Sequence, residues 1–236
     1  MSGELTRLLD ATWPAEECWR VGPFTLRRSD GGGKRVSAAT ACGAVTEADI
    51  EAAERAMDDC GQQAMFSVRA DQMQLEQLLV DRTYLMLDPT RLFRIGLAEL
   101  ADLDAGGHDC TADWPPDDDR IGIWEAGHIG AARRAIMERA EAPKTAILAR
   151  AQGIPVGATF VAVHEGIAIV RALEVVKPHR RRGAARDMLV AAAAWARGRG
   201  ADRLVALAVD GNVGAGRLFE TSGFAATDAY HYRIRP

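Results

Sequence analysis

Apolar spacing alternates along the second half of the chain between strand-like and helix-like periods. Residues 167–176 (IAIVRALEVV) form an apolar, β-branched run of strand length, and residues 203–209 (RLVALAV) form another. Between them the period turns helical. From Ala184 onward, Leu189, Ala192, Ala193 and Ala196 fall on one face, until Gly198-Arg199-Gly200 stops the helix. Upstream, residues 144–150 and 156–164 predict two strands about a Gln152-Gly153 turn. Residues 123–140 carry helical spacing at Trp124, Ile129, Ala132, Ile136 and Met137. Asn212 opens a further helical segment, and residues 229–235 (AYHYRIR) predict a last strand. The order helix, β, β, β, charged turn and helix, β, helix, β predicts a mixed α/β (α+β) fold, with helices on both faces of one sheet.

The first half is less regular. A short helix is expected over residues 5–11. Strands are expected near residues 19–28 and 34–39, joined through Ser29-Asp30-Gly31-Gly32-Gly33. No helix follows the glycine triplet at once, so it reads as a hairpin turn rather than a phosphate loop. Thr46 caps a helix, with Asp49 completing an approximate capping box. Sliding the chain against itself brings Gly43 onto Gly183, at an offset of 183 − 43 = 140. At that offset Ala53 meets Ala193, Ala56 meets Ala196, Leu78 meets Leu218 and Tyr84 meets Phe224. The chain therefore reads as two related lobes in tandem, residues 1–92 and 93–236. The stretch 91–120, acidic and rich in Gly and Pro, reads as an exposed connection.

Composition sets outer bounds. With 236 residues, 48% of them apolar and 26% charged, the chain can bury an ample core. The N-terminus MSGELTRLLDATWP lacks an apolar signal core, and no apolar run reaches membrane-spanning length. A cytoplasmic protein without a membrane partner is the expectation. Cys18, Cys42, Cys60 and Cys110 have neither metal nor disulfide-framework spacing and are expected as buried, reduced thiols. His108, Asp109, Cys110 and Asp113 likewise match no metal site, so no metal is expected.

The chemistry concentrates where the strand 167–176 turns into the helix at Ala184. The first N–H groups of a helix lack intrahelical partners and sit at the positive end of its dipole. Gly183, Ala184 and Ala185 leave room there, and Lys177, Arg180, Arg181, Arg182 and Arg186 surround the turn. This predicts a pyrophosphate cradle. A nucleic-acid patch would bring wider basic character, whereas the chain carries a net charge of −4, so no nucleic-acid partner is expected. Neither a dinucleotide fingerprint nor a Walker A motif is present.

Arg180-x-x-Gly183-x-Ala185, preceded by Leu173-x-Val175, resembles the acetyl-CoA signature of the GNAT superfamily of N-acetyltransferases. The segment NVGAGRLFETSGF from Asn212 resembles that family's second motif, in the right order and at the right distance. The resemblance implies a GNAT-type sheet and a cytoplasmic transferase that moves an acetyl group from acetyl-CoA to a primary amine by direct attack. It implies that Leu173, Glu174, Val175, Arg180, Arg181, Arg182, Gly183, Ala184, Ala185, Arg186, Asn212 and Phe219 bind the cofactor. It also implies that Trp124 and His128 border the acceptor. The first lobe has Thr40 in place of Arg180, Val45 in place of Ala185 and Gln72 in place of Asn212, so it reads as a degenerate half.

Two departures stand out. The family's tyrosine acid falls at Phe219, and the carboxylate of some members falls at Leu207. Glu174 and Tyr230, with His231 and Tyr232 beside the latter, are the substitutes within reach in sequence. Phe219 also keeps open a non-catalytic acyl-CoA-binding sensor as the alternative. The acceptor is a small-molecule or protein amine, and Asp117-Asp118-Asp119 leans towards a cationic one. Either a monomer or a homodimer fits, since two fused lobes can mimic a dimer in one chain.

Overall fold

A computed structural model describes residues 2–101 and 106–236. After the helix α1 (Ser2–Thr12), the first lobe builds a hairpin from β1 (Glu17–Val21) and β2 (Phe24–Arg28). A short β3 (Ala39–Ala41) follows, and then the helix α2 (Glu47–Asp59), β4 (Met65–Arg69) and the helix α3 (Met73–Asp81). The start of α2 is fixed as the sequence suggests. The Thr46 hydroxyl accepts from the Asp49 N–H while the Asp49 carboxylate accepts from the Thr46 N–H, a reciprocal capping box.

The long strand β5 (Leu85–Gly96) leads through α4 (Leu97–Ala101) to the edge strand β6 (Asp109–Asp113). Then come α5 (Asp118–Ala126), α6 (Ala131–Arg139), β7 (Lys144–Ala151), β8 (Ile154–His164) and β9 (Ile167–Val175). The chain ends with α7 (Ala184–Arg197), β10 (Arg203–Val209), α8 (Val213–Thr221) and β11 (Ala225–Ile234). All strands among the described residues join one mixed sheet, ordered β1-β2-β3-β4-β11-β5-β10-β9-β8-β7-β6.

The sheet separates its cores by strand alternation. Ala158, Phe160 and Ala162 of β8 pack with α1, α5 and α6 on one face, whereas Val161 and Val163 pack with α4 and α7 on the other. A third cluster closes the first lobe between its strands and α2 and α3. The 140-residue repeat holds in three dimensions: α3 shifted by 140 spans 213–221, the bounds of α8. Gly43 and Gly183 share φ of 95°.

The C-terminal strands of the two lobes are exchanged. At that offset β4 corresponds to β10 and β5 to β11, yet β4 pairs with β11 and β10 with β5, both antiparallel. β5 and β11 also pair with each other at the centre. The divide expected between residues 92 and 93 falls inside β5.

Four local expectations are corrected. Residues 19–28 are not one strand, because Gly22, at φ 53°, and Pro23 turn the chain between β1 and β2. Residues 34–39 are not a strand either: Lys34–Val36 is a short 3-10 turn, and only Ala39–Ala41 joins the sheet. The expected connection 91–120 is largely ordered as the end of β5, α4, β6 and the start of α5; its residues 102–105 lie outside the described residues. Alternation in RLFRIG was masked there by acidic and glycine-rich neighbours. The four cysteines are free, but Cys18, Cys42 and Cys60 are exposed and Cys110 is half-buried. The exposed three stand on an edge strand, after a strand end and at the α2 C-cap, where the core does not reach.

Candidate active site

β9 and β10 run parallel and paired from Ile167↔Arg203 to Val170↔Ala206, and then part. β9 continues to Val175 against β8, while β10 continues to Val209 against β5. A gap therefore opens between two strands whose outer edges stay paired. Its cause is a bulge: Phe160 faces Arg171 and Ala158 faces Glu174, leaving Ala172 and Leu173 opposite Thr159 alone. Ala172 takes φ of 50°. Two hydrogen bonds pin the bulge, from the Thr159 hydroxyl to the Arg171 carbonyl at 3.0 Å and from the Trp124 indole N–H to the Ala172 carbonyl at 2.8 Å. Beyond the bulge, the Val176 N–H bonds back to the Val156 carbonyl. Alternation then turns the N–H groups of Leu173 and Val175 towards the gap.

The gap leads to the start of α7. Gly183 caps that helix in the left-handed region, at φ 95°, and is exposed. A Cβ there would come no nearer than 4.0 Å to Gly106 or His108, so the approach to the backbone is open. The N–H groups of Ala184, Ala185 and Arg186 find no acceptor among the described residues, and neither does the buried Arg186 Nε. Arg181 and Arg182 are exposed and make no ion pair among the described residues. These donors and charges fit a diphosphate, as the sequence suggests. Asp187, buried in the first turn of α7, accepts from the N–H groups of Gly106 and His108 and meets His108 Nδ1 at 2.7 Å. That anchors residues 106–108 as one flank of the cradle. His108 is thus tied to Asp187, and among the described residues no His, Cys, Asp or Glu group is arranged to hold a metal. Burial, with Asp187 and Asp109 nearby, pushes the Cys110 thiol up to about 12, which leaves it unreactive at neutral pH.

The remaining candidates are dispersed. Arg180 turns back onto the strand, its Nε donating to the Val175 carbonyl at 2.9 Å and its Nη2 to the Glu174 carboxylate at 2.8 Å. Asn212 caps α8 by accepting from the Ala215 N–H at 3.1 Å. Phe219 is buried against Phe93 and Phe224, with ring centroids 5.3 and 5.4 Å away. Trp124 is fully buried and holds the bulge, and His128 is exposed at φ 62° in the turn between α5 and α6. Tyr230 is buried on β11, its hydroxyl accepting from Arg35 Nε at 2.8 Å, whereas Glu174 is engaged by Arg180 near the end of β9.

A cleft of about 300 Å³ opens at the mouth of the gap, within the range of small-molecule sites. Both lobes line it. Val170, Arg171 and Ala172 come from β9, Leu207 and Val209 from β10, and Asp88 and Thr90 from the exchanged strand β5. Lys34 and Arg35 arrive on the loop that the glycine triplet makes possible. A Cβ on Gly31 would lie 2.9 Å from Ala132 Cβ, and one on Gly32 would run into Ile136, so only glycine lets this loop lie against α6. The triplet does lie between two antiparallel partners, since β2 pairs with β3 at Phe24↔Ala41 and Thr25↔Thr40, but in a wide loop rather than a tight turn. Its packing against a helix distant in sequence left no signal in the local pattern.

The matching slot in the first lobe is plugged. Its β3 and β4 pair only at Ala39↔Phe66 and Thr40↔Ser67. The carbonyl of Ala41 just beyond accepts from Arg69 Nη2 at 3.3 Å and from Gln72 Nε2 at 3.1 Å. Gln72 replaces Asn212 and Arg69 replaces Val209, so longer side chains occupy what is open in the second lobe.

The comparisons agree with this geometry. The family model described as Acetyltransferase (GNAT) family matches residues 107–224. An N-acetyltransferase of uncharacterised function from Bacillus subtilis (strain 168), YobR, is 25% identical over 247 residues, covering 98% of both chains. A GCN5-related N-acetyltransferase from Kribbella flavida superposes with a TM-score of 0.77 at 18% identity, over 100% of this chain and 96% of that one. A tandem GNAT protein from the clavulanic acid biosynthesis pathway does so with a TM-score of 0.64 at 14% identity, over 98% and 87%. With a strand gap, an open helix N-terminus and a family match that spans both, the chain belongs to the GNAT family of acetyltransferases.

Proposed function

We propose that the second lobe binds acetyl-CoA and transfers its acetyl group directly to an amine held in the inter-lobe cleft. The observation that carries this reading is the end of β9–β10 pairing at Val170 and Ala206, beside a helix start with free N–H groups. In this reading Ala184, Ala185, Arg186, Arg181 and Arg182 hold the diphosphate. Leu173 and Val175 offer backbone donors to the pantetheine and to the oxygen that gains charge during attack. The amine nitrogen forms a bond to the acyl carbon as the carbon–sulfur bond breaks, and the ammonium proton leaves to water or to a carboxylate. Glu174 lies on β9 beyond the point where the strands part, paired with Arg180 at 2.8 Å, and in this reading it is the carboxylate that takes that proton. The departing thiolate needs no strong acid, since a free thiol has a pKa of about 8.5. Phe219 is therefore compatible with turnover.

The alternative is an acyl-CoA sensor that binds without turnover, favoured by the burial of Phe219 where the family carries an acid. Free-thiol release from acetyl-CoA, followed with and without a panel of amines, separates the two. Amine-dependent release supports the transferase. Tight binding with no release from any amine supports the sensor.

A further inference from the structure

The cleft has a polarity that acetyl transfer alone does not require. Its lining includes Lys34, Arg35, Arg133 and Arg171, against Asp88 as the one carboxylate. Lys34 and Asp88 pair with each other at 2.9 Å, which leaves three guanidinium groups facing the space.

Arg171 is the decisive one. It is 7% exposed, and its Nε and Nη2 reach no hydrogen-bond acceptor among the described residues. Its guanidinium carbon lies 5.0 Å from the Trp13 ring centroid, a contact that orients the plane without supplying an acceptor. Around it stand Arg35, Tyr230 and Tyr232, and no carboxylate forms an ion pair with it among the described residues. Burial, reinforced by Arg35, lowers its pKa to about 9, so it is still cationic at neutral pH. Buried guanidiniums in folded proteins are ordinarily paired and fully hydrogen-bonded. Arg27, buried on β2, shows the usual solution: Asp10 takes both Nε and Nη2, at 2.9 and 2.8 Å. Arg171 has the fork and the burial but lacks the anion.

We infer that Arg171, with Arg35 beside it, forms an anion-binding subsite, and that the acceptor is an amine which itself carries a carboxylate or phosphate group. The anion seats on the Arg171 fork while Trp13, Leu207 and Val209 cover the apolar part of the molecule. The acidic stretch that suggested a cationic acceptor is otherwise engaged: Asp117 caps α5 and binds Arg120, and Asp119 pairs with Arg150.

This inference rests on the transferase reading, and its test keeps the two apart. Thiol release is measured with ω-amino acids from glycine to aminohexanoate, their amides, the matching alkylamines and aminoalkylphosphonates. At least one acid or phosphonate should exceed its neutral partner in kcat/KM by about tenfold or more. The better of the two anion types names the source. Arg171→Gln should erase that preference through KM, leaving kcat and acetyl-CoA affinity within about twofold, and Arg171→Lys should recover part of it. In parallel, glutarate and phenylphosphonate are titrated into the protein without acetyl-CoA. Binding that disappears in Arg171→Gln supports the subsite even if no amine turns over, and failure of acetyl-CoA to bind then counts against the transferase reading alone. Amides that react as fast as acids in the unmodified protein would overturn the inference, as would equal losses of kcat for both in Arg171→Gln. Absence of binding by both anions together with no anion preference would also overturn it.

Discussion

At the scale of single residues, the site depends on groups placed where a folded chain would not otherwise keep them. Arg171 is buried, and its Nε and Nη2 have no hydrogen-bond acceptor among the described residues. Replacing such a charge by an apolar side chain of similar size removes its desolvation penalty. Arg171→Met is therefore expected to stabilise the ligand-free protein by about 1–3 kcal/mol, read as a rise in Tm of several degrees. A fall in Tm would mean that Arg171 is held by the fold for structural reasons. Gly32 is the converse case, with φ of 83° and Ile136 in the way of any Cβ. Gly32→Ala should cost about 1–3 kcal/mol, measured by denaturant melts, and should raise KM for the acceptor more than for acetyl-CoA. Neither residue was legible as a site in the sequence. Arg171 looked like one charge interrupting an apolar strand, and the glycine triplet looked like a turn. What sets each apart is a neighbour supplied by another element, Trp13 for one and α6 for the other.

Among elements, legibility followed how local the determining interactions are. α7, β10 and α8 were readable because each carries its own period and its own start and stop signals: Gly183 before α7, Gly198 after it, and Asn212 before α8. The open helix start after Gly183 was readable for the same reason, since strand, turn and helix start are contiguous. β5 and the edge strand β6 were not, because what makes them strands is pairing with segments more than thirty residues away. The bulge at Ala172 also left no trace: it uses alanine rather than glycine at φ 50° and is held by Trp124 and Thr159 from other elements. Trp124→Phe keeps the packing and deletes the bond to the Ala172 carbonyl. It should cost about 1 kcal/mol of stability and weaken acetyl-CoA binding measurably, because the β9–β10 gap loses one of its two pins. Unchanged affinity in the folded variant would show that the bulge does not need the indole.

For the whole molecule, the strand exchange makes two lobes into one folding unit. β10 has β5 on its outer side, and β11 lies between β4 and β5, so the second lobe's sheet is completed by the first. The same exchange carries Asp88 and Thr90 into the cleft of the second lobe. The plugged first lobe thereby forms one wall of that cleft. The intact chain should unfold in one transition, with near-UV and far-UV circular dichroism coincident. A fragment that begins at Leu97 should fail to fold, since it leaves β10 and β11 without those partners. Two resolved transitions, or a folded fragment that binds acetyl-CoA, would contradict this view. The repeat at offset 140 was visible in the sequence, whereas the exchange was not, because equal spacing fits swapped and unswapped pairing alike.

The central claim is that the open helix start after Gly183 binds the diphosphate of acetyl-CoA, and calorimetric titration tests it most directly. The unmodified protein should bind acetyl-CoA with micromolar affinity. Gly183→Val, which places a β-branched side chain at φ 95° in the cradle, should abolish binding while far-UV circular dichroism shows the fold intact. Absence of binding by the unmodified protein, or equal binding by the folded variant, would contradict the account.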